Sequence, residues 1–163
     1  MFKNLFKKNQ AQQILAPLNG EIKALEEVPD PVFSEKMMGE GIAIVPAEGK
    51  IVSPIDGEIV QVPDTKHAVG MVGKDGTEIL IHIGLETVEL KGEGFTPKVQ
   101  TGDKVTVGQP LMEFDLEYIQ EHAKDVITPI VITNSANSGK HYTMTNENEA
   151  KAGETVIITV SEK

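Results

Sequence analysis

From Gln13 onward the chain never sustains an apolar pattern for long. Its β-branched runs (41–45, 50–53, 57–62, 77–83, 110–114, 130–133 and 154–160) are only four to seven residues each, and glycine or proline stands between them. Asn19-Gly20, Asp56-Gly57, Asp75-Gly76 and Ser138-Gly139 supply turn chemistry. Valine, isoleucine and threonine suit a pleated surface, and such turn pairs reverse a chain between antiparallel strands. The expected fold is all-β, an antiparallel β-sandwich or barrel. One short helix is expected over 116–125, capped by Asp115, with Leu116, Ile119 and Ala123 on one stripe and Thr128-Pro129 as its stop.

A weak repeat runs through this pattern. Ala16-Pro17-Leu18-Asn19-Gly20-Glu21-Ile22 is echoed by Ser53-Pro54-Ile55-Asp56-Gly57-Glu58-Ile59, and Gly102-Asp103-Lys104-Val105 by Gly153-Glu154-Thr155-Val156. The echoes suggest a duplicated supersecondary motif, although common hairpin chemistry also produces short echoes. At 163 residues one domain suffices, read here as 14–163 behind an N-terminal segment 1–13. In that segment Met1, Phe2, Leu5 and Phe6 recur at helical spacing among Lys3, Lys7 and Lys8. Residues 1–8 therefore read either as a frayed terminus or as a peripheral contact with an anionic membrane.

Charge and cysteine usage narrow the function. A net charge of −10 argues against nucleic acid and for a partner with a basic contact face. With no cysteine there is no disulfide framework, thiolate metal site or cysteine nucleophile, which fits a cytoplasmic protein. No apolar run reaches the length of a spanning helix.

His82 lies inside the run Glu78-Ile79-Leu80-Ile81-His82-Ile83-Gly84. Strand side chains alternate, so Ile79, Ile81 and Ile83 share one face while Leu80, His82 and Gly84 share the other. His67 ends Thr65-Lys66-His67, and in an extended stretch the Thr65 hydroxyl falls on the same side, where it can fix an imidazole tautomer. A neutral imidazole nitrogen can accept a phosphoryl group without a separate base, and a second histidine can donate a hydrogen bond to it. On pattern alone a strand histidine is more often a satisfied structural residue than a catalytic one. His122, on the expected helix, and His141, in a polar stretch, read as surface residues.

The wording of the chain goes further than the pattern. Val28-Pro29-Asp30-Pro31-Val32-Phe33, Gly39-Glu40-Gly41-Ile42-Ala43-Ile44, Thr65-Lys66-His67-Ala68, His82-Ile83-Gly84-Leu85-Glu86-Thr87-Val88-Glu89-Leu90 and Lys91-Gly92-Glu93-Gly94-Phe95 closely resemble the glucose-type enzyme IIA of the bacterial phosphoenolpyruvate:sugar phosphotransferase system. The resemblance implies a two-sheet antiparallel sandwich with both histidines in a shallow depression. It implies a phosphocarrier in which His82 takes a phosphoryl group from phospho-HPr on Nε2 and passes it to a cysteine of a sugar-specific IIB domain. His67 would hydrogen-bond the phosphate and Thr65 would orient His67. Val32, Phe33, Leu80 and Val88 would form an apolar docking rim, with Asp30 and Glu86 meeting an arginine of HPr.

Leu80 departs from a usual phenylalanine and Glu86 from aspartate, which puts in doubt the carry-over of regulatory partners known from enteric members. No cofactor is required by this reading, with His67 and His82 a candidate zinc pair. A zinc hydrolase is the competing enzyme class, disfavoured because His82 is followed by Ile83-Gly84 rather than by further ligands. A regulatory module that only signals its phosphorylation state is the third.

Overall fold

The computed structural model describes residues 12–162, so the expected membrane contact of residues 1–8 lies outside the described residues. It is mostly strand, and every paired strand is antiparallel. The large sheet has eight strands in the spatial order β13 (Glu149–Ala150), β2 (Gly20–Ala24), β3 (Glu40–Pro46), β11 (Thr128–Ile132), β7 (Glu78–His82), β6 (Ala68–Gly73), β5 (Gly57–Gln61) and β9 (Lys104–Val105). Two three-stranded sheets complete the sandwich. One runs β1 (Gln12–Leu15), β14 (Val156–Glu162), β12 (Lys140–Met144), and the other β4 (Lys50–Val52), β10 (Pro110–Phe114), β8 (Phe95–Pro97).

The duplication expected from the sequence is written in the backbone bonds. Leu15 N–H donates to Pro54 O and Val52 N–H to Pro17 O, so the two echoing segments grip each other reciprocally. Gly20 opposes Ala150 just as Gly57 opposes Val105. The second echo is phased differently from its sequence reading. Gly153 N–H donates to Ala16 O as Gly108 N–H donates to Ser53 O, so Gly153 answers Gly108 and not Gly102. Both glycines precede a strand, and local sequence cannot tell one turn-plus-strand from another.

Strand alternation sorts the central strands into two apolar layers. Ile42, Ile44, Ile79, Ile81, Ile130 and Ile132 face the main core, while Ala43, Leu80 and Val131 face outward. That outer face is covered by Leu25, Val28 and Phe33, from a 3₁₀ turn (Leu25–Glu27) and the short helix α1 (Pro31–Ser34). α1 was not anticipated, although its signature was present. Asp30 caps it by accepting from Val32 N–H at 3.0 Å, and Pro31 occupies the first turn, where a missing N–H does no harm.

Several boundaries differ from expectation, and those at α2, β11 and β1 matter most. The helix α2 (Leu116–His122) is capped by Asp115 as expected but ends at His122, with Ala123 already extended. Thr128-Pro129 is not its stop but the start of β11. Pro129 opposes Ala43 of β3, and pairing with β7 begins only at Ile130, so the proline sits where β7 needs no donor. At the N-terminus β1 pairs Gln12 with Val160, which brings Gln12 and Gln13 into the sandwich.

Candidate active site

His82 is the last residue of β7, and the turn that follows makes its environment. Gly84 has φ 73, a left-handed conformation, and its carbonyl folds back to accept from His82 Nδ1–H at 2.8 Å. Gly84 thus leaves the strand face it was expected to share with His82. A Cβ there would lie 2.7 Å from Thr87 Cγ2 and 2.9 Å from Asp125 O. With Nδ1 donating to a carbonyl, Nε2 of the neutral ring keeps its lone pair.

Two aromatic rings flank this imidazole. Phe33 of α1 lies 5.0 Å away, centroid to centroid, tilted by 57°. His67 lies 4.9 Å away at 80°, an edge-to-face arrangement. Pairing of β6 with β7 sets this contact, because Ala68 opposes His82 and His67 O accepts from Ile83 N–H at 2.7 Å. The two histidines that the sequence left fifteen positions apart therefore meet at one end of two neighbouring strands.

Thr65 Oγ1 is 2.7 Å from His67 Nδ1, the contact anticipated from their spacing, but for a different reason. The segment is a turn and not an extended strand, since Lys66 between them has φ 59. Nothing in the sequence marks Lys66, because a two-residue spacing already places both side chains on one side of an extended chain.

Burial sets the protonation states. His67 is pushed down to about 4, first by desolvation and then by the neighbouring His82. His82 also lies below the ordinary imidazole value, because burial outweighs the Gly84 carbonyl and the negative charge of Asp30, both of which favour its proton. Both rings are neutral near pH 7.

The expected rim divides. Val32 is 39% exposed and Val88 49% exposed. Phe33 is only 4% exposed and is a wall of the His82 site, because α1 turns it inward onto the ring. Leu80 is half-buried against the outer apolar layer. Asp30, half-buried, caps α1 through Oδ1, whereas Glu86 is exposed, left-handed at φ 59 and makes no cap bond to the 3₁₀ turn (Thr87–Leu90) that follows it. Met37, just beyond α1 in the sequence, is an apolar side chain left 71% exposed. His122 stacks on Tyr118 in α2 and His141 lies exposed in β12, both as expected of surface residues.

The candidate zinc pair offers two ring nitrogens. Among the described residues, no group of three or more His, Asp or Glu side chains is placed to hold a metal ion. A catalytic zinc with three protein ligands finds no third one beside these rings.

Comparison with known proteins decides the family. Residues 12–138 match the family described as phosphoenolpyruvate-dependent sugar phosphotransferase system, EIIA 1. The chain belongs to that family. Among EIIA relatives, the glucose-specific EIIA component of Bacillus cereus is 52% identical over the whole of both chains. That of Staphylococcus aureus is 50% identical over 99% of each. The solved structure of glucose permease IIA from Mycoplasma capricolum superposes with a TM-score of 0.87 at 40% identity, covering 93% of this chain and 97% of that one. The EIIA fold, mostly antiparallel β, is thus shared, and the protein is a component of sugar transport by phosphoryl transfer. No helix among the described residues is long and apolar enough to cross a membrane.

Proposed function

We propose that this EIIA protein accepts a phosphoryl group from phospho-HPr on Nε2 of His82 and passes it, in the cytoplasm, to a cysteine thiolate of a sugar-specific IIB domain. The hydrogen bond from His82 Nδ1–H to Gly84 O carries this reading, because it leaves Nε2 as the nucleophilic nitrogen of a neutral ring. In the first transfer the donor's N–P bond breaks as Nε2 forms its own, and the donor imidazole leaves with the electron pair. His82 then bears phosphorus on Nε2 and the proton on Nδ1, so its ring is cationic. The Gly84 carbonyl accepts that proton's hydrogen bond, and the Asp30 charge favours the cation. In the second transfer the thiolate attacks phosphorus, the N–P bond breaks, and His82 returns neutral.

His67 supplies the hydrogen-bond donor to the phosphate. Neutral at pH 7, it carries one ring proton, and donation from the Thr65 hydroxyl to Nδ1 puts that proton on Nε2. Catalysis of phosphoryl transfer is mainly positioning and charge stabilisation, and a donor already in place requires no reorganisation. Val32, Val88 and the half-buried Leu80 form the apolar rim that keeps water from the transfer, and Glu86 offers a carboxylate to an arginine of HPr.

The test is incubation with enzyme I, HPr and phosphoenolpyruvate followed by intact-mass analysis. The wild type should gain one acid-labile phosphoryl group, and His82→Ala should gain none. A wild type that stays unlabelled beside active HPr sinks the reading.

A further inference from the structure

Between the two residues whose side chains meet, Lys66 holds φ 59, in the left-handed region that side chains bearing a Cβ rarely adopt. An extended chain advances about 6.5 to 7 Å over two residues. Threonine and imidazole could bridge that span only at full stretch with every bond aligned. The left-handed residue bends the chain back, and Thr65 Oγ1 comes within 2.7 Å of His67 Nδ1. The bend is held from both sides: Lys66 N–H donates to Pro63 O at 2.8 Å, and His67 O accepts from Ile83 N–H. The Lys66 stem lies over the loop at Gly92, its Cδ 3.6 Å from where a Cβ on that glycine would stand. The ammonium group takes part in none of these contacts.

We infer that Lys66 is a positioning residue of the phosphoryl site: its left-handed backbone, and not its charge, aims the Thr65 hydroxyl at His67 Nδ1 and thereby decides which nitrogen of His67 carries the proton. The inference rests on reading His67 as the hydrogen-bond donor to the phosphate. Asparagine and glycine adopt this conformation readily, alanine less so, and β-branched valine least.

The experiment is a series in the full chain, Lys66→Asn, Lys66→Gly, Lys66→Ala and Lys66→Val. It is read by ¹⁵N chemical shifts of the two His67 ring nitrogens, with His67→Gln for assignment, and by the rate of transfer from phosphorylated His82 to IIB. Lys66→Asn and Lys66→Gly should keep the Nε2–H tautomer and onward transfer within about twofold of wild type, whereas Lys66→Val should mix tautomers and transfer about tenfold more slowly. Should Lys66→Val not fold, Lys66→Ala must shift both readouts in the same direction. A valine protein with a single Nε2–H tautomer and wild-type transfer overturns the inference. So does an asparagine or glycine protein as impaired as valine, since charge would then be the property that matters. The ring-nitrogen shifts need no phosphoryl group. If the wild type proves unable to take one, the functional reading is lost while the tautomer series still decides whether Lys66 aims Thr65.

Discussion

His67 combines partial burial with a single hydroxyl partner, and that combination fixes both its charge and its use. Its folded value of about 4 lies below the ordinary 6.5, so between those pH values the unfolded chain binds more protons than the native one. Stability is therefore full above pH 6.5 and is lost as pH falls from 6.5 to 4. His82, also depressed, adds loss in the same direction. Thermal unfolding of wild type and His67→Gln across this range should show a shallower decline for the variant, and parallel curves would contradict the assignment. In phosphoryl transfer, His67→Gln should still be labelled at His82, while onward transfer falls by about 10- to 100-fold, the worth of one hydrogen bond to a charged group. Single-turnover kinetics with IIB measure the difference.

Short elements hold these residues in place, and two of them can be tested by small changes. α1 hangs on the Asp30 cap and carries the Phe33 ring onto His82. Asp30→Ala should cost about 1 kcal/mol by loss of the cap. It should also move the His82 titration further down, because a charge that favours its proton is removed. NMR titration reads the second effect, and a His82 value that rises would refute it. The turn after β7 depends on Gly84. Gly84→Ala combines a left-handed backbone with a Cβ 2.7 Å from Thr87 Cγ2 and 2.9 Å from a backbone oxygen, for a loss of about 2 to 3 kcal/mol. Relief of this clash moves the backbone of residue 84, whose own carbonyl accepts from His82 Nδ1–H, so denaturant melts and the His82 tautomer should change together.

Across the whole molecule, the sandwich supplies a rigid back wall and the charge supplies the approach. The central strands are packed on both faces, with isoleucines inward and Ala43, Leu80 and Val131 outward, so the histidines sit on the ends of strands that cannot easily move. A net charge of −10 favours the approach of any partner whose contact face is basic. The rate of phosphorylation by phospho-HPr at low protein concentration should fall steeply as salt rises toward about 1 M, where the screening length is about 3 Å. A rate indifferent to salt would show that the apolar rim alone governs docking.

The runs of β-branched residues and their turn pairs were enough to read an antiparallel sandwich, because strand alternation and hairpin turns are local properties. The Asp115 cap, the facing-away of His82 from its isoleucine neighbours and the duplication of Ala16 to Ile22 in Ser53 to Ile59 were legible for the same reason. Where Thr128-Pro129 falls was not, since a proline ends a helix or opens a strand according to which neighbours need its missing donor. Nor could the chain alone show that Phe33 turns inward against His82 or that Gly84 returns its carbonyl to the ring. Those contacts depend on how β6 and β7 are registered, on the covering of one sheet face by α1, and on a left-handed turn at Lys66. They come from packing between segments distant in the chain, and it is packing that turns two separated histidines into one site.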